Sequence, residues 1–117
     1  MITFYHYPRC STCVKARKWL EAQGVDFQAI DLASAPPSAE ELKLIHERSE
    51  RPMKALFNTS GQSYRGGGFK DKLPSMSDAD QLKALAADGM LIKRPIAVGE
   101  GYALIGFKLP EWEEKLG

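Results

Sequence analysis

Two cysteines lie three positions apart near the start of the chain, and their side chains are the ones best suited to carry chemistry. They occur as Cys10-Ser11-Thr12-Cys13, directly after Pro8-Arg9. In a reducing compartment, a pair at this spacing indicates redox chemistry and not a structural disulfide. We therefore predict Cys10 as the catalytic nucleophile and Cys13 as the resolving thiol that displaces whatever Cys10 has bound.

The surrounding sequence places Cys10 at the beginning of a helix. Residues 1–7 are β-branched and aromatic and predict a strand, and the helical pattern CVKARKWLEAQ begins at Cys13. Ser11 and Thr12 therefore lie at a helix N-terminus, where unpaired backbone N–H groups favour an anion. Cysteines in such positions have pKa values of roughly 3.5 to 7.5, against about 8.5 for a free thiol. Cys13 falls on the inner stripe of the helix, within reach of Cys10 for a disulfide.

Two other interpretations of the cysteines remain open. In the first, Cys13 is a small buried hydrophobe and Cys10 is an idle thiol. In the second, the pair holds zinc, but a zinc site needs four ligands and the chain adds only His6 and His46. Both histidines fall within predicted regular structure and are expected to be structural or solvated, so we expect no metal.

A second candidate site lies near the C-terminus, at Arg94-Pro95. Proline is unusual just inside a strand because it cannot donate to the ladder, and residues 92–98 predict a strand. A cis bond before Pro95, facing the cysteines, would account for it and would leave the preceding backbone free to pair with an incoming substrate chain. A trans proline on an edge strand would account for it as well. Arg94 could present its planar fork to an oxyanion or could be a surface charge.

The order of predicted elements is β-α-β, then helices, then β-β-α. Ser38 and Glu41 form a capping box for a helix that runs to about Arg51, and Pro52 ends it or opens a short helical turn. Residues 58–76 predict mostly loop, and the other predicted elements are a strand at 25–32, a helix at 78–88, a hairpin of 92–98 with 102–107, and a final helix after Pro110. This order favours an α/β thioredoxin-like fold with a mixed four-stranded sheet. Its core would take up about residues 1–34 and 90–117, with a helical insertion at about 35–89.

Length and composition point to one ordinary globular domain. The chain has 117 residues, of which 44% are hydrophobic, and 16 Lys and Arg stand against 15 Asp and Glu. A formal charge of +1 lacks the basic excess typical of proteins that bind nucleic acid directly. No stretch approaches the ~20 apolar residues that span a bilayer, and no signal-peptide pattern is present, so we expect a cytoplasmic protein without membrane contact.

The segments YHYPRCSTCVKARKWL and MLIKRPIAV together resemble the arsenate reductase (ArsC)/Spx family. The segments FNTSG at 57–61 and GFK at 106–108 are most similar to its small Spx-related, arsenate reductase-like members, and the resemblance covers essentially the whole chain. It implies a thioredoxin-like fold with a helical insert, a reactive Cys10, a cis Pro95 and an anion-binding Arg94. Glutaredoxin-linked arsenate reductases use two further arginines, which fall at Lys54 and near Phe107-Lys108 in this chain, and they have no cysteine at the position of Cys13. Lys54 keeps the positive charge but loses the bidentate geometry, and the resemblance implies an anion-binding role for it.

Three functions follow from these observations. The first is a cytosolic thiol–disulfide oxidoreductase, or arsenate reductase-like enzyme, which acts on a small thiol, disulfide or oxyanion. It would bind no cofactor and would be regenerated by glutathione or by the glutaredoxin or thioredoxin system. The second is an Spx-like regulator that is switched by the Cys10–Cys13 disulfide and binds the C-terminal domain of the RNA polymerase α subunit. Spx has a glycine in its polymerase-contacting region where this chain reads Arg51-Pro52-Met53. The third is a scaffold with an intact fold and no turnover.

Overall fold

A four-stranded mixed sheet forms the centre of the computed structural model, which describes residues 1–117. The strands are β1 (Ile2–His6), β2 (Phe27–Asp31), β3 (Ile96–Gly99) and β4 (Tyr102–Ile105), in the order β2-β1-β3-β4. β1 runs parallel to β2 and antiparallel to β3, and β3 and β4 form an antiparallel hairpin. The predicted thioredoxin-like sheet is confirmed, and all four strands come from the two segments that were assigned to its core.

Six helices surround the sheet. They are α1 (Ser11–Ala22), α2 (Ala39–Ser49), α3 (Gln62–Gly66), α4 (Phe69–Lys72), α5 (Asp78–Ala87) and α6 (Leu109–Leu116). Single 3₁₀ turns occur at Met53–Leu56, Leu73–Ser75 and Gly89–Leu91. None of the helices is long and apolar enough to cross a membrane.

The prediction of mostly loop for residues 58–76 is wrong, because α3, α4 and one 3₁₀ turn lie there. Three rings explain the difference. Phe57, Tyr64 and Phe69 pack together with centroid separations of 5.9 to 6.3 Å. These ring contacts stabilise helical turns whose Gly-rich sequence has little intrinsic helical preference.

The prediction of a strand over residues 92–98 is also too long. β3 begins at Ile96, so Pro95 directly precedes the strand and does not lie within it. The residues before it make other contacts, since Ile92 forms an isolated bridge with Phe57 and the Lys93 N–H donates to the Leu56 carbonyl at 2.7 Å. Because a proline at this point interrupts no ladder, the structure removes the difficulty that singled Pro95 out.

The two faces of the sheet pack against different helices. One face carries a cluster that includes Phe4 of β1, Leu20 of α1 and Trp112 of α6, and all three side chains are fully buried. On the other face, Tyr5 belongs to a cluster of 15 buried residues that includes the helices of the insertion. Residues of β1 alternate between the two faces with the period of two expected of a strand. Phe4 thereby packs against α1, the helix that begins at the cysteines.

The predicted capping box at α2 is confirmed. The Ser38 hydroxyl accepts from the Glu41 N–H at 3.1 Å, and the Glu41 carboxylate accepts from the Ser38 N–H at 3.1 Å. The same carboxylate accepts a hydrogen bond from the Tyr5 hydroxyl at 3.1 Å. The first helix of the insertion is therefore tied to the central strand at its N-terminus.

Gly89 provides a test of how the insertion meets the sheet. A methyl group at Gly89 would overlap the backbone carbonyl oxygen of Leu32, which follows β2. We expect Gly89→Ala to lower the free energy of unfolding by about 1–3 kcal/mol, because a backbone must move to admit the methyl group. Gly66→Ala is the matched control, since no atom lies within 4 Å of the added methyl. Equal urea midpoints for the two variants would contradict the close approach at Gly89.

Candidate functional site

Cys10 caps the N-terminus of α1, and Cys13 lies beneath it. Cys10 has an extended backbone, with φ −81° and ψ 121°, and its N–H donates to the Tyr7 carbonyl at 2.9 Å. The Cys10 side chain is half-buried, whereas Cys13 is fully buried. Both cysteines are free thiols, and the two thiol groups lie near 3.4 Å apart. Only Cys10 is therefore open to attack from outside or able to attack an incoming molecule.

The environment of Cys10 favours its thiolate. Burial alone raises the pKa of Cys10, but hydrogen bonds from the Cys13 N–H, the Cys13 thiol, the Arg94 side chain and the Thr12 N–H outweigh burial and lower it. Donors at a helix N-terminus and a guanidinium both stabilise a negative sulfur. The position of Cys10 at a helix N-terminus predicted a lowered pKa, and the structure gives the same direction. Part of the cause is the side chain of Arg94, which is distant from Cys10 in the sequence.

Cys13 has the opposite character. Burial raises the pKa of the Cys13 thiol to about 12; the Tyr7 backbone works against this rise, and the neighbouring Cys10 adds to it. Cys13 therefore keeps its proton at neutral pH while Cys10 is deprotonated more readily. The titrations of the two thiols are coupled, since each is the other's hydrogen-bonding neighbour.

Arg94 reaches Cys10 from the opposite end of the sequence. The Arg94–Pro95 peptide bond is cis, as the family resemblance implied, and this decides between the cis and trans alternatives that the residues alone left open. One terminal nitrogen of Arg94, Nη1, donates to the Met90 carbonyl at 3.3 Å, and its buried Nε has no hydrogen-bond partner. Arg94 is therefore directed at the Cys10 thiol and is not a free surface charge, whereas oxyanion binding by Arg94 stays a prediction.

Sequence reasoning missed Tyr7. Its ring lies against the Arg94 guanidinium, with the Arg94 Cζ 5.3 Å from the ring centroid, and its carbonyl accepts from the Cys10 N–H. Its backbone also acts against the rise in the pKa of Cys13. Tyr7 thus bears on all three members of the site, and its place directly before the Pro8-Arg9-Cys10 segment is the signal that could have found it.

A cleft beside the cysteines gathers positive charge. Its volume is about 370 Å³, and neither Asp nor Glu lines it. We call it the basic cleft, and its polar and charged lining residues are Thr12, Arg51, Lys54, Thr59, Lys93, Arg94 and Lys108. The structure therefore brings the predicted residues Lys54, Arg94 and Thr12 to one place, whereas Ser11 is exposed and does not line the cleft. The assignment of Lys54 and Arg94 to anion binding remains a prediction.

The histidines lie apart from this arrangement. His6 is buried on β1, and this burial lowers the pKa of its ring. The positive charge of Arg17 lowers the pKa further, while the negative charge of Asp31 acts in the opposite direction. Its ring packs beside Phe4 with centroids 5.2 Å apart, and His46 lies in α2. No group of three or more His, Cys, Asp or Glu side chains is arranged to hold a metal ion.

The ArsC family matches residues 5–115, a span that contains both cysteines and the Arg94–Pro95 segment. The chain belongs to the ArsC family. Among family relatives, the uncharacterized protein YusI of Bacillus subtilis is 50% identical over 113 residues, which cover 97% of this chain and 96% of YusI. The global transcriptional regulator Spx of Enterococcus faecalis is 30% identical over 112 residues, covering 95% of this chain and 83% of Spx.

Solved structures of the ArsC family share the whole fold. The structure of an ArsC family related protein from Bacteroides fragilis superimposes with a TM-score of 0.93 at 42% identity, covering 97% of this chain and 95% of that one. The structure of the arsenate reductase from Vibrio cholerae superimposes with a TM-score of 0.85 at 29% identity, covering 99% of this chain and 97% of that one. The family thus joins arsenate reductases with transcriptional regulators on one scaffold.

The role of Arg94 can be tested through the pH dependence of Cys10 alkylation. The rate rises with pH as the thiolate forms and levels off above the pKa of Cys10, so a lowered pKa places this rise at lower pH than for a free cysteine. Arg94→Ala removes one donor to the sulfur, and we expect the rise to move to higher pH and the rate at pH 7 to fall by about threefold to tenfold. Iodoacetamide labelling followed by mass spectrometry measures it, with Arg65→Ala as a control outside the cleft. An unmoved profile would contradict the contact.

The contact between Tyr7 and Arg94 predicts a split between two substitutions. Tyr7→Phe keeps the ring face, so the alkylation profile of Cys10 should match the wild type. Tyr7→Ala frees the guanidinium, and we expect the profile to move in the same direction as in Arg94→Ala. In the Arg94→Ala background, Tyr7→Ala should add little, because the two residues act through one contact. Additive shifts would mean that Tyr7 acts through the backbone of the Cys10 loop instead.

Proposed function

We propose that this chain is a cytoplasmic thiol–disulfide oxidoreductase that uses the Cys10–Cys13 pair. The observation that carries the proposal is the unequal environment of two thiols near 3.4 Å apart, one half-exposed with a lowered pKa and one buried with a raised pKa. A nucleophile must be accessible and ionised, and a resolving thiol must be close and shielded from outside disulfides. The pair meets both requirements in the expected order.

The reaction has two steps. The Cys10 thiolate attacks one sulfur of a substrate disulfide, forms a mixed disulfide and expels the other sulfur as a thiolate. Cys13 then loses its proton to solvent and attacks the Cys10 sulfur, which releases the second substrate thiol and leaves a Cys10–Cys13 disulfide. Two electrons pass from the protein to the substrate. Reduced glutathione, through glutaredoxin, or thioredoxin would return the two electrons and close the cycle.

Arsenate is the alternative electrophile for the same Cys10 thiolate. The basic cleft offers cations to an oxyanion, and Arg94 can supply a planar fork. Lys54 carries a charge where arsenate reductases have an arginine, but an ammonium group cannot form the bidentate contact. We therefore propose disulfides ahead of oxyanions as substrates, and turnover rates measured with each of them distinguish the two.

The substitution Cys13→Ser provides the direct test. We expect this variant to accumulate a mixed disulfide on Cys10 with a small disulfide such as oxidised glutathione, because no neighbouring thiol can resolve it. Cys10→Ser should form no adduct and should abolish NADPH-coupled turnover supported by glutaredoxin or thioredoxin. Intact-protein mass spectrometry detects the adduct, and parallel assays with arsenate rank the substrates. If Cys13→Ser turns over like the wild type, Cys13 has no resolving role.

A second candidate function is favoured by the relatives. Spx and the regulatory protein MgsR of Bacillus subtilis, which is 29% identical over 106 residues, are both regulators. The same disulfide would then act as a switch that a partner reads, with the C-terminal domain of the RNA polymerase α subunit as the partner suggested by the Spx resemblance. Thiols that oxidise without turnover, together with capture of that domain in only one redox state, would establish the regulator and exclude the enzyme.

A further inference from the structure

A second cavity lies next to the basic cleft, within the helical insertion. Its volume is about 250 Å³. We call it the insertion groove, and it is lined by Met53, Lys54, Tyr64, Lys70, Leu73, Pro74 and Gln81. Four of these side chains are apolar or aromatic, and the two charged ones are both lysines. Neither the groove nor the basic cleft contains an acidic residue.

The two cavities share a wall. The 3₁₀ turn Met53–Leu56 contributes Met53 to the insertion groove and Ala55 to the basic cleft, and Lys54 lines both. A ligand that passes over Lys54 can therefore occupy both cavities at once. One end of that ligand would meet the Arg94 side of the basic cleft, and the other end would meet apolar surface.

The charge distribution defines the chemistry of this ligand. The whole chain has 16 basic and 15 acidic residues, yet the basic cleft has five of the basic side chains and none of the acidic ones. One tetrahedral oxyanion accepts hydrogen bonds from only a few neighbours, so five cations along a cleft fit a longer anion with several carboxylates. The adjoining groove adds a place for an apolar side chain.

We propose that the insertion groove is a substrate subsite and that the substrate of Cys10 is a peptide disulfide with acidic residues beside its cysteine and an apolar residue farther along. The inference rests on the proposed oxidoreductase function and names the substrate class. A peptide chain advances about 3.3 Å per residue when extended, so it carries charges and an apolar side chain at separate, fixed distances. The chemistry is the two-step exchange given above, with the peptide as the substrate and the Cys10–Cys13 disulfide as the product.

Synthetic peptides in mixed disulfide with 2-mercaptoethanol test the proposal. One set has two aspartates beside the cysteine and a leucine placed two, three, four or five residues away. A second set has serine for the leucine, and a third has lysines for the aspartates. The readout is the second-order rate constant for release of the peptide thiol by the reduced full-length protein, followed by acid quench and mass spectrometry.

We expect the leucine peptide with the best spacing to react about tenfold faster than its serine counterpart, because its side chain leaves water. The lysine-flanked peptides should be slower than the acidic ones by a similar factor, and this difference should shrink as salt is added. Equal rates for leucine and serine at every spacing would overturn the groove as a subsite.

Two variants locate the effect in the groove. Lys70 is exposed and lines the groove, whereas Lys83 is exposed on α5 and lines neither cavity. Lys70→Glu should slow the acidic leucine peptide, and Lys83→Glu should not. Gln81→Trp fills the groove and should remove the advantage of leucine over serine, whereas Lys83→Trp, on the same helix but outside both cavities, should keep that advantage. A leucine advantage that survives Gln81→Trp would place the apolar contact elsewhere.

Two further arms separate the inference from the function on which it rests. If peptides of all sets react at one rate and Cys10→Ser abolishes every reaction, the subsite is wrong and the oxidoreductase stands. If no disulfide of any kind reacts with the reduced protein, both fail. The last arm uses a mixed disulfide of glutathione with octanethiol. If its rate constant rises over that of the serine peptide as much as that of the leucine peptide does, the substrate is a small amphiphilic disulfide and the peptide proposal is overturned.

Discussion

The pairing of β1 with β3 is the constraint on which the site depends. The strands are antiparallel, with Tyr5 opposite Ile96 as the last recorded pair. The same register, continued two residues past Tyr5 and two residues before Ile96, brings Tyr7 opposite Arg94, which agrees with the contact between the ring and the guanidinium. The end of the first strand and the segment before the third strand therefore meet at one edge of the sheet. Two parts of the sequence more than 80 residues apart build one thiol site by this geometry.

The packing of α1 then decides which thiol meets the outside. Leu20 of α1 is buried against Phe4 and Trp112, and the Trp112 indole N–H donates to the Gly106 carbonyl at 2.9 Å. These contacts fix the rotation of the helix about its axis. With that rotation fixed, Cys13 faces the sheet, while Cys10 stays at the helix end, where backbone donors are free. The different pKa values of the two thiols follow from core packing as much as from their local sequence.

Short-range signals predicted much of this structure. Helix position, the Ser38 capping box and the inward face of Cys13 are all encoded within a few residues, and the structure has them as predicted. The cis bond before Pro95 was implied by the family resemblance and not by the residues alone, and the predicted place of Pro95 within a strand was wrong. The short helices of the insertion were missed because their stability comes from the contacts of three aromatic rings. Tyr7 and the basic cleft were missed because both depend on chain segments that meet only in the fold.

The burial of Cys13 also affects how any disulfide between the two cysteines would be reopened. An external thiolate can approach only the Cys10 sulfur, so the electrons of the broken bond must depart with Cys13. A thiol whose pKa is raised to about 12 is a poor leaving group, and thiol exchange slows as the leaving thiol becomes more basic. The reductant must therefore overcome a barrier set by the core of the protein itself. Reduction of a Cys10–Cys13 disulfide should therefore be slower than reduction of a disulfide whose leaving thiol is exposed to solvent.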